Sequence, residues 1–175
     1  MIMNIVIAGP CGVGKSTIAQ SFAQKTGLVF LDFDELRAVE MSRKKEGFSP
    51  CSVSKLNLKE CLPSLLNTIS TGFVLDIGGD TVFRPNANND DRRDQVLWLK
   101  KTYSAQIVVL TAEREILYQR FTASKNRGTR EFDVLWIDWE SMGEPYWLSC
   151  ADLIVDTTHQ SISDTLKQIE ENQNN

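Results

Sequence analysis

Residues 4–17 read NIVIAGPCGVGKST, and IAQSFAQKTG follows directly. The apolar run Asn4–Ala8 has the character of a buried strand, and Lys15–Lys25 that of a helix. Between them Gly9, Gly14, Lys15 and Ser16 satisfy the pattern G-x-x-x-x-G-K-[ST]. A glycine-rich turn joining a strand to a helix lets main-chain N–H groups wrap a phosphate chain, and the helix N-terminus adds a field favourable to anions. Gly12 and Gly14 permit close approach of the backbone. Lys15 suits the β and γ phosphates of a nucleotide, and the Ser16 hydroxyl suits Mg²⁺. The stretch therefore predicts a mononucleotide site in an α/β fold.

The rest of the chain carries the same rhythm. Strand-like runs recur at Leu28–Leu31, Phe73–Ile77, Gln106–Leu110 and Leu153–Val155. They are short and largely unbroken by polar alternation, as expected of strands buried on both faces. Helix-length segments alternate with them at 34–45, 54–70, 91–103, 113–124 and 161–171. Such alternation predicts a parallel sheet covered by helices. Pro63 should kink or split the segment 54–70. Thr26-Gly27 reads as a helix stop. Two segments break the pattern: the Gly/Pro/Ser connector 46–53 and the stretch 123–144, which carries Lys125, Arg127 and Arg130 ahead of VLWIDWESMG.

Composition narrows the classes. The 175 residues are 42% hydrophobic and 24% charged, ordinary for one globular domain, expected to span 1–170 with a polar tail at 171–175. A net charge of −4 argues against nucleic acid held on a broadly basic face. No apolar run approaches the ~18 residues of a membrane span. The four cysteines, at 11, 51, 61 and 150, form no C-x-x-C pair, so reduced thiols in a cytoplasmic protein are expected. Cys11 reads as a small loop residue, or as a thiol activated by the helix N-terminus.

Two acidic features accompany the loop. Asp32 and Asp34 end the second strand in FLDFDEL, one residue apart. Alternation along an extended chain would aim both off the carboxyl edge of the sheet, where ligands bind in open α/β folds. Such a pair can support Mg²⁺ through water and orient an acceptor hydroxyl; the plainer alternative is that one of them caps the next helix. In FVLDIGGD, Asp76 ends an apolar strand like a Walker-B acid, and Gly78-Gly79 let the backbone come close to a bound molecule. The plainer alternative is a solvent turn.

Taken together, GPCGVGKST, FLDFDEL, VLDIGGD, LYQR (117–120) and EPYWLSCADLIVDTT (144–158) resemble the shikimate kinase-type P-loop kinases, relatives of gluconate and nucleoside monophosphate kinases. The resemblance covers nearly the whole chain. It implies a three-layer αβα fold with a five-stranded parallel sheet in order 2-3-1-4-5 and a lid near 123–144. It also implies ATP and Mg²⁺. Gly9, Cys11, Gly12, Val13, Gly14, Lys15, Ser16 and Thr17 would hold the nucleotide, with Arg120 and Thr158 at the adenine. Ser16, Asp32 and Asp76 would support the metal. Lys15, Asp34 and Arg127 would be catalytic, with Lys125 and Arg130 as alternative lid cations. Asp34, Gly78, Gly79 and Asp80 would face the acceptor.

The sequence departs from that family where shikimate's carboxylate is held. Asn57 stands in LNLKE where an arginine is expected, Gly143 stands beside Glu144 where the second would lie, and Asp80 replaces a third glycine. A bidentate clamp for an anion does not survive those changes. The expected acceptor is a neutral or cationic small molecule with a hydroxyl group: a polyol, nucleoside or amino compound. The alternatives are a nucleoside or nucleotide kinase, with Arg84 the arginine to watch, and an ATP-binding regulator that has lost catalysis. Trp136, Trp139 and Trp147 read either as an apolar wall for a ring-bearing acceptor or as local core. A monomer is expected.

Overall fold

The computed structural model describes residues 3–36, 58–83, 85, 87–124 and 131–173. Five strands form one parallel sheet: β1 (Met3–Ala8), β2 (Val29–Asp32), β3 (Gly72–Asp76), β4 (Ala105–Thr111) and β5 (Leu153–Asp156). Their order is β2-β3-β1-β4-β5, the 2-3-1-4-5 arrangement expected. Each strand lies within a residue or so of its predicted run.

Side-chain alternation along the strands sorts the core into two layers. Val6 and Ala8 of β1 face one side with Leu75, Ile107, Val109 and Trp147; Ile5 and Ile7 face the other with Val74, Val108 and Phe22. On the first side pack α2 (Leu58–Cys61), α3 (Pro63–Leu66), α5 (Asn89–Tyr103) and α8 (Glu144–Cys150). On the second lie α1 (Lys15–Thr26), α6 (Arg114–Ala123) and α9 (Ile162–Gln173). The sheet is thus covered on both faces, which is why its strands show no polar alternation.

Pro63 behaves as its ring dictates. It opens α3 in the first turn, where a missing N–H costs nothing, and so divides the predicted helix from α2. Residues 54–57 of that prediction and most of 34–45 lie outside the described residues; 33–36 are helical. In the stretch 123–144, residues 125–130 lie outside the described residues and the chain is helical from Phe132 onward. α7 (Phe132–Asp138) runs into a π-helical turn (Trp139–Gly143) and on into α8. A four-residue helix, α4 (Gly79–Val82), follows β3. Among the described residues no helix is long and apolar enough to cross a membrane.

Register places the acids. Ile7 pairs with Asp76, and Asp76 with Asp32, so both carboxyl-bearing residues stand level with the end of β1, two residues before Gly9. Everything the loop needs is gathered at one edge of the sheet.

Candidate active site

The loop leaves β1 at Ala8 and enters α1 at Lys15. Gly14 takes the N-cap position at φ 97°, a left-handed backbone natural only to glycine, and no side chain caps the helix. The first-turn N–H groups of a helix have no intrahelical partners, so here they are left for an anion. Lys15 Nζ donates to Pro10 O at 2.9 Å, resting on the loop's own carbonyl. Ser16 Oγ donates to Asp76 Oδ2 at 2.5 Å.

Asp76 is the electrostatic centre. It is only 6% exposed, and its other oxygen, Oδ1, is buried without a hydrogen-bond partner. Burial pushes its carboxyl above the usual carboxylate range. Lys15 and the Ser16 hydrogen bond pull it down, and the nearby charges of Asp32 and Asp34 push it further up. A buried acid with one orphaned oxygen beside a serine hydroxyl is a donor set of hard oxygens, suited to a small divalent cation. Among the described residues no three His, Cys, Asp or Glu side chains converge to hold a metal unaided. Mg²⁺ fits this site with water and phosphate oxygens completing its shell.

Asp32 and Asp34 both act on Asp76, but not by the alternation the sequence suggested. β2 stops at Asp32 and the chain turns at once into helix. Asp32 Oδ1 accepts the N–H groups of Asp34 (2.8 Å) and Glu35 (3.1 Å), so the capping role foreseen for one of the pair falls to Asp32. Asp34 is exposed, and its Oδ1 accepts from Thr81 Oγ1 at 3.3 Å.

Gly79 corrects another expectation. Its N–H donates to Gly9 O and its C=O accepts from the buried Trp147 indole Nε1, each at 3.1 Å. A Cβ there would lie 2.5 Å from Gly9 O and 2.6 Å from the Trp139 ring. The closeness that glycine allows at 79 is thus spent on this chain's own loop and indole, not left open. Gly78 does border Asp34: a Cβ on it would lie 3.6 Å from Asp34 Oδ2. The backbone of Asp80 belongs to α4; its side chain lies outside the described part. Trp139 and Trp147, 2% and 0% exposed, are core. The indoles brace the site from behind; they do not line it.

A cleft of about 190 Å³ opens on the other side of the loop, lined by Val13, Gly14, Thr17, Arg120, Thr157 and Gln160 among others. Arg120 grips one residue with two prongs: Nη1 donates to Thr157 Oγ1 at 3.0 Å and Nη2 to Thr157 O at 2.8 Å. That fork fixes the guanidinium plane at the cleft, where it can stack on a base. Thr158, expected here, is turned aside. Its N–H and hydroxyl donate to Asp156 Oδ1, and its Oγ1 accepts Glu113 N–H. Those bonds hold the Asp156 carboxyl below its usual range. Of Thr157 and Thr158, it is Thr157 that lines the cleft. Cys11 is half-buried in the loop. Arg127, Lys125 and Arg130 lie outside the described residues.

Three residues of the site escaped sequence reasoning: Thr81, Thr157 and Gln160. For Thr81 the signal was present, in a hydroxyl two residues beyond a Gly-Gly turn. Trp147 was singled out, but its bond to Gly79 was not legible, because the two lie 68 residues apart.

Comparison with known proteins agrees with this geometry. Residues 5–134 match the family model described as AAA domain, AAA_18. A shikimate kinase of Thioalkalivibrio sulfidiphilus is 28% identical over 174 residues, covering 95% of this chain and 84% of that one. An adenylate kinase isoenzyme 6 homolog of Caenorhabditis elegans is 27% identical over 172 residues, covering 97% and 84%. Among solved structures, shikimate kinase from Bacteroides thetaiotaomicron superposes with a TM-score of 0.69 over the whole of both chains at 16% identity, a likeness of fold.

Proposed function

The chain belongs to the AAA domain family AAA_18 and has the fold of the shikimate kinases, and from that premise we propose that it transfers the γ-phosphoryl group of Mg·ATP to a hydroxyl of a small molecule other than shikimate. One observation carries the reading. A second acid, Asp34, is held beside Gly78 at the same sheet edge where Ser16 and Asp76 meet under the phosphate loop. A protein that only bound ATP would have no use for it.

Each residue's part follows from its place. The α1 N-terminus and the loop N–H groups hold the β and γ phosphates; Lys15 exchanges Pro10 O for a phosphate oxygen. Arg120, fixed by Thr157, faces the base in its cleft. Ser16 and Asp76, with Asp32 through water, would hold Mg²⁺, whose charge offsets that of the phosphates when bound. Asp34 orients the acceptor hydroxyl and takes its proton as the oxygen attacks the γ-phosphorus in line and the bond to the β,γ-bridging oxygen breaks. Arg127, or Lys125 or Arg130, neutralises charge from the lid. Three carboxylates against Lys15 make this edge poor ground for an anionic acceptor, which favours a neutral or cationic one. We take the protein to be a cytoplasmic monomer with reduced thiols.

The test is ATP consumption against a panel of polyols, amino alcohols, nucleosides and nucleoside monophosphates. Lys15→Ala should abolish transfer. Asp34→Asn should spare ATP affinity and suppress turnover; turnover retained in that variant removes Asp34 from the mechanism. A second reading, a nucleotide acceptor, is favoured by the likeness to the adenylate kinase isoenzyme 6 homolog. It prevails if a nucleoside monophosphate gives the highest kcat/KM in the panel.

A further inference from the structure

The short helix α4 is clamped at both ends. At its start the Gly79 peptide is held by Gly9 and Trp147, with Trp139 packed against it. At its end Arg92 Nη1 donates to Val82 O. Thr81 rides on this fixed piece, 6% exposed, with its N–H on Gly78 O at 3.0 Å and its hydroxyl reaching Asp34 Oδ1. Asp34 itself stands exposed on the turn capped by Asp32.

We propose that Thr81 is the positioning residue for Asp34: its hydroxyl engages Oδ1 and leaves Oδ2, the oxygen beside Gly78, for the incoming acceptor hydroxyl. The assignment rests on the reading of Asp34 as the acid that faces the acceptor.

Gly78 supplies an independent observation. Its backbone, at φ −59° and ψ 132°, is open to any residue, so conformation does not demand glycine there. What a Cβ would meet is Thr81 Oγ1, at 2.5 Å. Thr81 Cβ and Asp34 Oδ2 stand at ordinary distances of 3.4 Å and 3.6 Å. Among the described residues it is therefore the Thr81 hydroxyl that requires glycine at 78, and a single methyl group would drive that hydroxyl from its carboxylate.

Two measurements on the full chain test this. With the best acceptor of the panel, Thr81→Val should lower kcat about tenfold, the scale of one lost hydrogen bond to a charged group, while KM for ATP stays within about twofold. Thr81→Ser should recover most of the loss. In thermal melting, Gly78→Ala should cost about 4 °C in the parent and under half of that in Thr81→Ala, because the colliding oxygen is gone. Additive melting losses overturn the proposal whatever the activity. So does a kcat unchanged in Thr81→Val in a protein that turns over acceptor. If the parent turns over no acceptor at all, the kinase reading fails, and coupled melting losses then support the Thr81–Gly78–Asp34 arrangement on its own.

Discussion

Replacing Asp76 by asparagine should make the ligand-free protein more stable. The side chain is 6% exposed, one oxygen has no partner, and the carboxylates of Asp32 and Asp34 repel it. Burial is the dominant influence and raises its pKa. Asparagine keeps a carbonyl oxygen for the Ser16 hydroxyl, loses the attraction of Lys15, and leaves a neutral amide unpaired where a charge had been. An unpaired neutral group costs less than an unpaired charge. The net gain should be about 1 kcal/mol, or about 2–4 °C in a chain of this size. The sign with pH follows from the raised pKa. Unfolded Asp76 ionises near its ordinary 3.8 while the folded form still holds its proton, so wild-type stability falls as pH climbs from there through the folded value. The advantage of the asparagine variant should be absent below that window, grow across it and level off above. Paired thermal melts in metal-free buffer from pH 3 to 8 measure it, and unrelated titrations cancel in the difference. Saturating Mg·ATP should reverse the order: about 2.7 kcal/mol at a hundredfold over Kd for the wild type, and less than half of that for the variant. An asparagine variant that melts below the wild type at neutral pH without metal would refute the reasoning that burial and the neighbouring acids make the Asp76 carboxylate costly to the ligand-free fold.

Other substitutions probe the supports. Gly79→Ala forces a methyl group onto Gly9 O and the Trp139 ring, and should cost about 2–3 kcal/mol by urea denaturation; a loss under about 0.5 kcal/mol would contradict the packing. Trp147→Phe strands the buried Gly79 carbonyl and should cost about 1–3 kcal/mol, seen as a lower midpoint at unchanged m-value. Arg120→Lys cannot reproduce two bonds to Thr157, and should weaken ATP binding about tenfold by calorimetric titration with the melting temperature nearly unchanged.

What the sequence made legible was whatever is encoded locally. The buried strands announce themselves by unbroken apolar runs, and the phosphate loop by glycines and lysine at fixed spacing. Pro63 and Thr26-Gly27 mark helix ends by backbone chemistry that needs no partner. Asp32 and Asp76 close apolar runs in the sequence, and the register sets them level with each other at the sheet edge. What stayed hidden depends on partners distant in sequence. Gly79 was read as room for a ligand because nothing near it announces that Trp139 and Trp147 fill that room. Thr157 and Thr158 are adjacent and chemically identical; the bonds Thr157 accepts from Arg120 and those Thr158 donates to Asp156 tell them apart. The tryptophans of VLWIDWESMG, read as an apolar wall or as local core, are local core: Trp139 is buried in it and Trp136 packs against it.

The Gly79 peptide carries one more lesson. Both of its polar groups are committed, one to the main chain of the phosphate loop and one to an indole deep in the core, so the loop is cross-tied to the interior. Among the described residues, the Asp34 carboxylate by contrast leans on a threonine hydroxyl. A change of one side chain can therefore re-aim Asp34, whereas moving the phosphate loop would mean breaking a main-chain bond and a buried indole bond at once.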